Sequence, residues 1–319
     1  MESRRKTISG AMGMASVGVA AASIAALLAP LGWPFELFAH FRWQVGAAAA
    51  ALLVASLALR RPWMMAVTFA ALAAQSLPGL LPGRTAVAHT VTNECAGPAL
   101  RVVTANVQYE NTAHAPLVEW LARSDADVIA LQEVTPEWQA ALAPLGSRYP
   151  HRLVLARDDP YGIALLSRWP LGDETGAVDL AGDGLPSLVG TLELPEGREL
   201  RMMALHTRWP VTRERQRQRD HALQSAAQLA AGGDVPTVLS GDLNLTPYAP
   251  EFARMVEASG LRDSLDDVAW RPTWQAGFWP LALPIDHVLV PRDACVVARQ
   301  IGPDMGSDHR PLAVTLRLP

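Results

Sequence analysis

Six predicted strands end in polar residues that can bind a metal ion or transfer a proton. These residues are Asn106, Glu133, His206, Asp242 with Asn244, Asp286 with His287, and Asp308 with His309. A single carboxylate or amide after a strand is most often a turn former or a helix cap. Six such strand ends in one chain instead indicate a site where carboxylates hold a cation and imidazoles move protons.

The elements that would position these residues lie between residues 99 and 319. Short runs rich in Val, Ile and Leu predict strands at 100–107, 127–134, 161–168, 187–194, 199–207, 235–244, 285–291 and 310–318. Segments between them predict helices at 115–124, 135–145, 212–231 and 249–259. This pattern predicts an α/β fold, a four-layer α/β sandwich of two packed mixed β-sheets flanked by helices.

Five short motifs carry a resemblance to a known family. They are "TANVQ" (104–108), "ALQEV" (130–134), "LSGDLNLTP" (239–247), "IDHVLV" (285–290) and "GSDHRPL" (306–312). In this order they resemble the endonuclease/exonuclease/phosphatase superfamily of deoxyribonuclease I-like enzymes, and the likeness spans essentially all of residues 99–319. It implies a metal-dependent phosphoric ester hydrolase.

The resemblance also implies roles for individual residues. It implies a Mg²⁺ site, with Mn²⁺ as the alternative ion, whose ligands are Asn106, Glu133 and Asp308. It assigns catalysis to His206, Asp242, Asn244, Asp286 and His309. In these assignments Asp308 orients the imidazole of His309 and Asp286 pairs with His206. Asp242 orients the attacking water or protonates the leaving oxygen, and Asn244 stabilises the charged transition state.

Neighbouring residues leave alternatives open. Arg168 and Thr273 stand where family members contact phosphate or shape the site, although an arginine before Trp-Pro is commonly structural. His287 is expected to pack on the face of its strand opposite Asp286, because neighbours on a strand point to opposite faces. Gln108 stands where some abasic-site endonucleases have an aspartate ligand, which weighs against a DNA-repair enzyme.

The charge of the chain bears on its partners. Of its 27 basic and 31 acidic residues, seven and three precede residue 98, so the rest carries 20 against 28, a net charge of −8. Such a unit lacks the broad positive field that holds duplex nucleic acid tightly. One predicted helix nevertheless begins with a basic run, Arg213, Arg215, Arg217 and Arg219. The run indicates either a solvated face or a surface for phosphates or anionic lipid headgroups.

Three functions fit these observations. The first is a membrane-tethered, metal-dependent phosphodiester hydrolase that is nuclease-like and acts on DNA or RNA. The second is a sphingomyelinase-like phospholipid phosphodiesterase. The third is a catalytically silent, membrane-attached binding module, which the loss of metal ligands would indicate. No such loss occurs in the motifs above, and this favours an enzyme.

The first 83 residues predict a membrane domain. Residues 7–35, 43–59 and 62–83 contain no Asp, Glu, Lys or Arg, so they predict three transmembrane helices, of which the second is the shortest. Residues 84–98 read as a linker, and residues 99–319 as the catalytic domain. The lipid bilayer is therefore an expected partner besides the phosphodiester substrate.

Basic residues predict the orientation in the membrane. Arg4, Arg5 and Lys6 precede the first run, and Arg60 and Arg61 lie between the second and third, so both segments are expected in the cytoplasm. This predicts a multi-pass membrane protein with its catalytic domain on the outer side. The resemblance, since some bacterial members have a similar leader, implies the bacterial inner (plasma) membrane, with this domain on the periplasmic or extracellular side. In that compartment a disulfide between Cys95 and Cys295 is possible, and the alternative is two free thiols.

Overall fold

A computed structural model of the chain describes residues 2–80, 97–265 and 270–318. Cα distances divide the chain into two compact units, residues 1–86 with 248–253, and residues 87–247 with 254–319. Most of the predicted linker at 84–98 lies outside the described residues. Cys95 lies there too, so the disulfide that it and Cys295 would form stays untested.

The second unit contains two six-stranded sheets. The first has the order β11-β12-β1-β2-β4-β3 and the second the order β5-β6-β7-β8-β10-β9. Each sheet is mixed, since β1–β2 and β7–β8 are parallel and the remaining pairs are antiparallel. In chain order the strands are β1 Ala99–Asn106, β2 Val128–Gln132, β3 His151–Leu155, β4 Ile163–Ser167, β5 Gly176–Val178, β6 Ser187–Leu194, β7 Arg198–His206, β8 Thr237–Asp242, β9 Leu261–Asp263, β10 Asp286–Pro291, β11 Cys295–Ile301 and β12 Leu312–Arg317.

The two sheets pack face to face because strand residues alternate between two apolar environments. Val102 contributes to a core that also contains Met202 and Val288, so this core lies between the sheets. The next residue, Val103, contributes to a second core with Leu117 and Trp138, which belong to helices on the outer face of the first sheet. The predicted α/β sandwich of two mixed sheets flanked by helices is thus confirmed.

Helices cover the outer faces of both sheets. In the second unit they are α5 His114–Arg123, α6 Pro136–Ala141, α7 Arg213–Ala231 and the part of α8 Pro250–Ser259 that begins at Arg254. Thr135 caps α6 and Thr212 caps α7, each accepting a hydrogen bond from a backbone N–H of the first turn. Arg201 of β7 donates to the carbonyls of Leu229 and Gly232 and so ties the end of α7 to the second sheet.

The register of the strands brings several polar strand ends to one edge. Asn106 of β1 pairs with Gln132 of β2, and Glu133 follows directly. In the second sheet, His206 of β7 pairs with Asp242 of β8, which in turn pairs with Asp286 of β10. The carboxyl ends of parallel strands meet at one edge, and this is the arrangement that forms sites in α/β folds.

The first unit is helical and contains α1 Glu2–Leu27, α2 Glu36–His40, α3 Arg42–Ala58 and α4 Pro62–Leu80. Helices α1, α3 and α4 contact one another. Several of their buried side chains are polar: the Ser16, Ser56 and Thr68 hydroxyls donate to carbonyls one turn earlier, and Gln75 Nε2 donates to Ser23 Oγ over 3.0 Å.

The prediction of three transmembrane helices is only partly met. Within the described residues, Ser9–Leu27 is the one helical stretch long and apolar enough to cross a bilayer, and a signal sequence near an N-terminus would pass the same test. Helix α3 is apolar but has 17 residues, or roughly 26 Å at about 1.5 Å per residue, less than about 30 Å of hydrocarbon. The predicted third span at 62–83 extends past Leu80, beyond the described residues. The prediction is therefore corrected to one candidate span.

Candidate active site

The amide of Asn106 lies at the centre of the candidate site, between residues of the two sheets. Its Nδ2 donates to Glu133 Oε1 over 2.8 Å and to Asp242 Oδ2 over 3.0 Å. Its Oδ1 accepts the backbone N–H of Gln108 over 3.0 Å, which fixes the orientation of the amide. Asn106 was predicted to be a metal ligand, but in this structure its oxygen faces Gln108 and its nitrogen faces the two carboxylates.

Glu133 occupies the first sheet's side of the site. It follows β2 in the left-handed conformation with φ 64°, and its Oε2 accepts the backbone N–H of Tyr109 over 2.9 Å. Gln108, Asn244 and Gln275 also have positive φ, so four of the seven described non-glycine residues of this kind lie at or beside the site. Such backbone costs about 1–3 kcal/mol per residue and concentrates at functional sites.

Asp242 faces both histidines of the site. Its Oδ2 lies 3.6 Å from His206 Nε2 and 3.7 Å from His309 Nε2, and its Oδ1 accepts the backbone N–H of Asn244 over 2.9 Å. Asp242 is almost completely buried. Burial, reinforced by the nearby Asp286, raises the pKa of Asp242 against the opposing fields of His309 and His206. This carboxyl is therefore suited to taking up a proton.

His309 is oriented by Asp286 and not, as predicted, by Asp308. Its Nδ1 lies 2.8 Å from Asp286 Oδ2, whereas Asp308 Oδ2 accepts Trp274 Nε1–H over 2.9 Å. The physical reason is the turn at Ser307, whose Oγ accepts the backbone N–H of His309 over 3.0 Å, so the neighbouring side chains of Asp308 and His309 reach different partners. Burial disfavours the charged imidazole, but Asp286 and Asp242 outweigh it and raise the pKa of His309 to about 10. Burial likewise opposes the charge on Asp286, and the field and hydrogen bond of His309 overcome it and lower the pKa of Asp286.

His206 has partners different from the one predicted. Within the described residues no hydrogen bond joins it to Asp286. The carboxylates near its Nε2 are Asp242, at 3.6 Å, and Glu133, at 4.0 Å. Its ring lies 5.4 Å from the ring of Tyr161, and its Nδ1 is buried without a hydrogen-bond partner. The predicted pairing of His206 with Asp286 is thus not among the contacts of the described residues, where Oδ2 of Asp286 is bonded to His309 instead.

The two remaining predicted residues lie at the edges of the site. Asn244 Nδ2 donates to the Thr207 carbonyl over 2.9 Å, so its side chain is fixed against the end of β7. Asp308 donates its backbone N–H to Gln108 Oε1 over 3.0 Å. Gln108 thereby connects Asp308 to Asn106, and the residue that departs from the family pattern has a structural role here.

The structure resolves the alternatives left open for three neighbouring residues. Arg168 follows Ser167, which pairs with Val128 at the start of β2, so it lies at the edge opposite Glu133. There it forms an ion pair with Asp127 at 3.3 Å and has a structural role.

Thr273 is buried, and its Oγ1 accepts the backbone N–H of Asp286 over 3.2 Å. His287 lies on the opposite face of β10 from Asp286. It is buried, its Nδ1 is 3.1 Å from Asp263 Oδ2, and its Nε2 is 2.8 Å from the Leu245 carbonyl. It is therefore a packed histidine, as expected.

Sequence reasoning did not identify Trp274, Tyr109 or the supporting role of Gln108. Trp274 donates to Asp308, and the backbone of Tyr109 holds Glu133. A sequence does not show which backbone N–H groups donate to a side chain. Trp274 could have been noticed, because it follows Thr273 directly in "RPTW".

The residues at this edge fit a hard divalent cation, since carboxylate oxygens are its preferred ligands. Asp242, Asp286 and His309 offer ligand atoms within 4.8 Å of one another. In this group Asp286 Oδ2 is already engaged by His309 Nδ1, over 2.8 Å. Glu133, the less buried carboxylate beside it, fits better.

Comparisons with known proteins agree with this arrangement. The profile of the Endonuclease/Exonuclease/phosphatase family matches residues 103–309. A search of curated protein sequences gives no match.

Several solved structures have the same fold. Humanised TDP2 of D. rerio is 20% identical with a TM-score of 0.57, covering 69% of this chain and 99% of that one. An endonuclease/exonuclease/phosphatase from Beutenbergia cavernae is 23% identical with a TM-score of 0.56, covering 69% and 72%. Sphingomyelinase C from Streptomyces griseocarneus is 18% identical with a TM-score of 0.50, covering 68% and 99%. At these identities the likeness shows the fold alone.

Proposed function

Because the chain belongs to the endonuclease/exonuclease/phosphatase family, we propose that it is a divalent-metal-dependent phosphodiester hydrolase of the nuclease type, acting on DNA or RNA. The observation that carries this proposal is the convergence of Glu133, Asp242, His206 and the Asp286–His309 pair around one amide, that of Asn106. Attack on a phosphodiester places negative charge on oxygen, and such a cluster supplies both donors and a proton acceptor.

Each side chain has a role that follows from its environment. A His309 that stays protonated at neutral pH donates a hydrogen bond to a phosphate oxygen, and Asp286 holds its ring in place. Asp242, whose pKa burial raises, accepts the proton of the attacking water or returns it to the leaving oxygen. His206 lies within reach of the same carboxylate and assists this transfer.

Glu133 and Asp308 would hold the metal ion, with Mg²⁺ as the expected species. Glu133 keeps its carboxylate between Asn106 and Tyr109, and Asp308 has one oxygen that is not engaged by Trp274. When bound, the ion would supply Lewis-acid neutralisation of phosphate charge. Asn106 positions the carboxylates of Glu133 and Asp242, to which its amide nitrogen donates.

The first test is hydrolysis of bis(p-nitrophenyl) phosphate by the full-length chain in Mg²⁺, with and without EDTA. We expect EDTA to abolish turnover. Glu133→Gln and His309→Gln should each lower kcat about 100-fold or more, the loss that removal of one transition-state donor causes. Arg168→Gln is the matched control, because Arg168 lies at the opposite edge. Turnover that persists in EDTA, or in Glu133→Gln, refutes the proposal.

A substrate panel then separates the nuclease from the phospholipase. Supercoiled plasmid, single-stranded DNA, RNA and sphingomyelin vesicles would be compared at equal enzyme concentration. The proposal requires that a nucleic acid be cleaved with the highest kcat/KM. Preference for sphingomyelin would identify the alternative phospholipid phosphodiesterase.

The proposal includes attachment to a membrane through α1, with the catalytic unit on the outer side. It is supported by the apolar stretch Ser9–Leu27 and by the basic residues that precede it in the sequence. Outward-facing apolar side chains on the helices, including Met14, Val54 and Phe69, support it as well, since the buried positions there include Ser and Gln. Recovery of the chain in the carbonate-soluble fraction would contradict attachment.

A further inference from the structure

The segment that follows the catalytic histidine carries features that the chemistry above does not use. It runs from Arg208 to the first turns of α7 and contains Trp209, Arg213, Arg215 and Arg217. Trp209 is 56% exposed, and the side chains of the three helical arginines are exposed too. Arg217 has only a 4.0 Å contact with Glu214, between two side chains that are each about two-thirds exposed.

Arg208 connects this segment to the catalytic centre. Its guanidinium carbon lies 5.2 Å from the centroid of the Tyr161 ring, and that ring lies 5.4 Å from the ring of His206. Asp183 accepts from Arg208 Nε over 2.6 Å and holds the side chain in this position. One ring, that of Tyr161, thus lies between this fixed guanidinium and the imidazole of His206.

The helical arginines oppose the stability of their own helix. Arg213 and Arg215 lie in the first turn of α7, where the helix dipole favours acidic side chains, and the last turn contains no basic residue. Positive charges at these positions do not stabilise the helix. Because they are exposed, they can bind an anion that approaches the segment from solvent.

The shape of the segment favours a flexible polyanion over a flat bilayer. At about 100° per residue, Arg213 and Arg217 share one side of α7, while Arg215 lies roughly 200° from Arg213. The arginines therefore surround the beginning of the helix and do not lie in one plane. A single strand is flexible enough to bend around such an end, whereas a stiff duplex is not.

We infer that Arg208–Arg217 is a track for single-stranded nucleic acid leaving the catalytic centre. Arg208 contacts the phosphate next to the scissile one, Trp209 stacks on an unpaired base, and Arg213, Arg215 and Arg217 contact the phosphates beyond. This inference rests on the proposed function and adds that the substrate is single-stranded. The backbone N–H of Val211 donates to the Trp209 carbonyl over 2.9 Å, which keeps the tryptophan in a tight turn ahead of the helix.

The length of the track sets a requirement on the substrate. The five residues from Arg208 to Arg213 span at most about 18 Å, and less because the chain turns at Val211, while the four helical residues from Arg213 to Arg217 add about 6 Å. At roughly 3.4 Å per stacked nucleotide, the track therefore spans at most about seven nucleotides. The catalytic efficiency should rise with oligonucleotide length and level off at or below about seven.

The test compares one substrate that reaches the track with one that does not. Full-length protein in detergent would be assayed on the oligonucleotide dT12 and on bis(p-nitrophenyl) phosphate, and the ratio of the two kcat/KM values recorded. The double variant Arg213→Gln/Arg215→Gln should lower this ratio about tenfold and reduce the log–log salt slope for binding fluorescein-labelled dT12 by about 1.4, at about 0.7 per phosphate contact. Trp209→Ala should weaken dT12 binding about fivefold or more, and Trp209→Phe should restore it.

A matched control is available on another helix. Arg123 lies exposed in the last turn of α5, where the dipole favours it, and Arg292 is exposed in a loop. Arg123→Gln/Arg292→Gln removes the same charge and should leave the ratio unchanged. It should also lower the melting temperature slightly, while the variant in α7 should raise it, because the dipole acts in opposite directions at the two helix ends.

The outcomes separate this inference from the proposed function. The track is overturned if the ratio of kcat/KM for dT12 to that for bis(p-nitrophenyl) phosphate falls equally in the double variant of α7 and in the control double variant. If Arg213→Gln/Arg215→Gln loses binding to phosphatidylserine-containing vesicles but binds dT12 as the wild type does, the track is also overturned and a lipid surface is identified. Failure of the wild type to hydrolyse either substrate, with the predicted binding of dT12 intact, refutes the catalytic proposal and leaves the track standing.

Discussion

The contact between His309 and Asp286 leads to a quantitative prediction. Asp286→Asn keeps the size of the side chain but removes the charge 2.8 Å from His309 Nδ1. Asp242 Oδ2 then remains as the nearest carboxylate, at 3.7 Å from Nε2. The pKa of His309 should fall, because burial opposes the imidazolium and one of the two carboxylates that overcome this effect is gone.

The size of the change can be worked out from the lost interaction. A hydrogen bond to a charged group contributes about 1.5–3 kcal/mol, and about 1.4 kcal/mol corresponds to one pKa unit. The pKa of His309, about 10 in the wild type, should therefore fall by roughly one to two units. Because the folded pKa lies above the ordinary 6.5, its stabilising contribution is fully present below pH 6.5 and is lost as the pH rises through about 10. In Asp286→Asn the contribution should be smaller, and its loss should be complete at a lower pH than in the wild type.

The assay is a pH titration of the His309 ring proton by NMR in metal-free protein, with His309→Gln to assign the signal. The alkaline limb of kcat for bis(p-nitrophenyl) phosphate should move in the same direction, since a neutral imidazole no longer donates to the phosphate. An unchanged or higher His309 pKa in Asp286→Asn would show that Asp286 does not hold the proton there. The role given to His309 would then be wrong.

Three further predictions concern the support of the site. Trp274→Phe removes the donor to Asp308 Oδ2 and should raise the Mg²⁺ concentration for half-maximal activity about tenfold or more. Gly241→Ala should destabilise the fold by more than about 4 kcal/mol in thermal unfolding, because φ is 143° and the new Cβ would lie 1.9 Å from a carbonyl oxygen of β7. Asp263→Asn should cost about 1–3 kcal/mol in urea unfolding at pH 7. Burial opposes the charge of Asp263, yet His287 lowers its pKa, so the difference from wild type should begin to shrink as the pH falls below about 4 and be lost as the pH falls through the lowered pKa of the folded state.

Each of these predictions has a result that contradicts it. An unchanged Mg²⁺ requirement in Trp274→Phe would remove Asp308 from the metal site. For Gly241 the control is Gly176→Ala, whose Cβ would meet no atom within 4 Å, and equal stability of the two variants would disprove the steric argument. A stability deficit in Asp263→Asn that does not shrink as the pH falls below about 4 would show that the charge of Asp263 does not stabilise the fold.

The strands and the residues at their ends were readable because apolar runs and polar ends leave a pattern in the sequence. All eight predicted strands are present, each end within two residues of its prediction. The short strands β3, β5, β9 and β11 were missed. Of these, β5 and β9 have three residues each, too few for an alternating pattern, and β11 is only partly buried.

The pairing of the catalytic side chains could not be predicted because it depends on which faces meet across the sandwich. Sequence adjacency joined Asp308 to His309, but the two side chains point to different partners, Trp274 and Asp286. Asp286 lies 23 residues earlier in the chain, and only the packing of the two sheets brings it to His309. The buried position of Asp242 likewise depends on both sheets, which is why its raised pKa has no counterpart in a sequence motif.

The division of the site between the sheets explains why its geometry depends on the core. The first sheet supplies Asn106 and Glu133, and the second supplies His206, Asp242 and Asp286. The distance between the two groups is set by the apolar layer between the sheets, which contains residues such as Val102 and Met202. Protein interiors are close-packed, so a cavity in this layer shifts one sheet against the other instead of being absorbed locally. The 3.0 Å bond from Asn106 to Asp242 crosses from one sheet to the other, and it would respond first to such a shift.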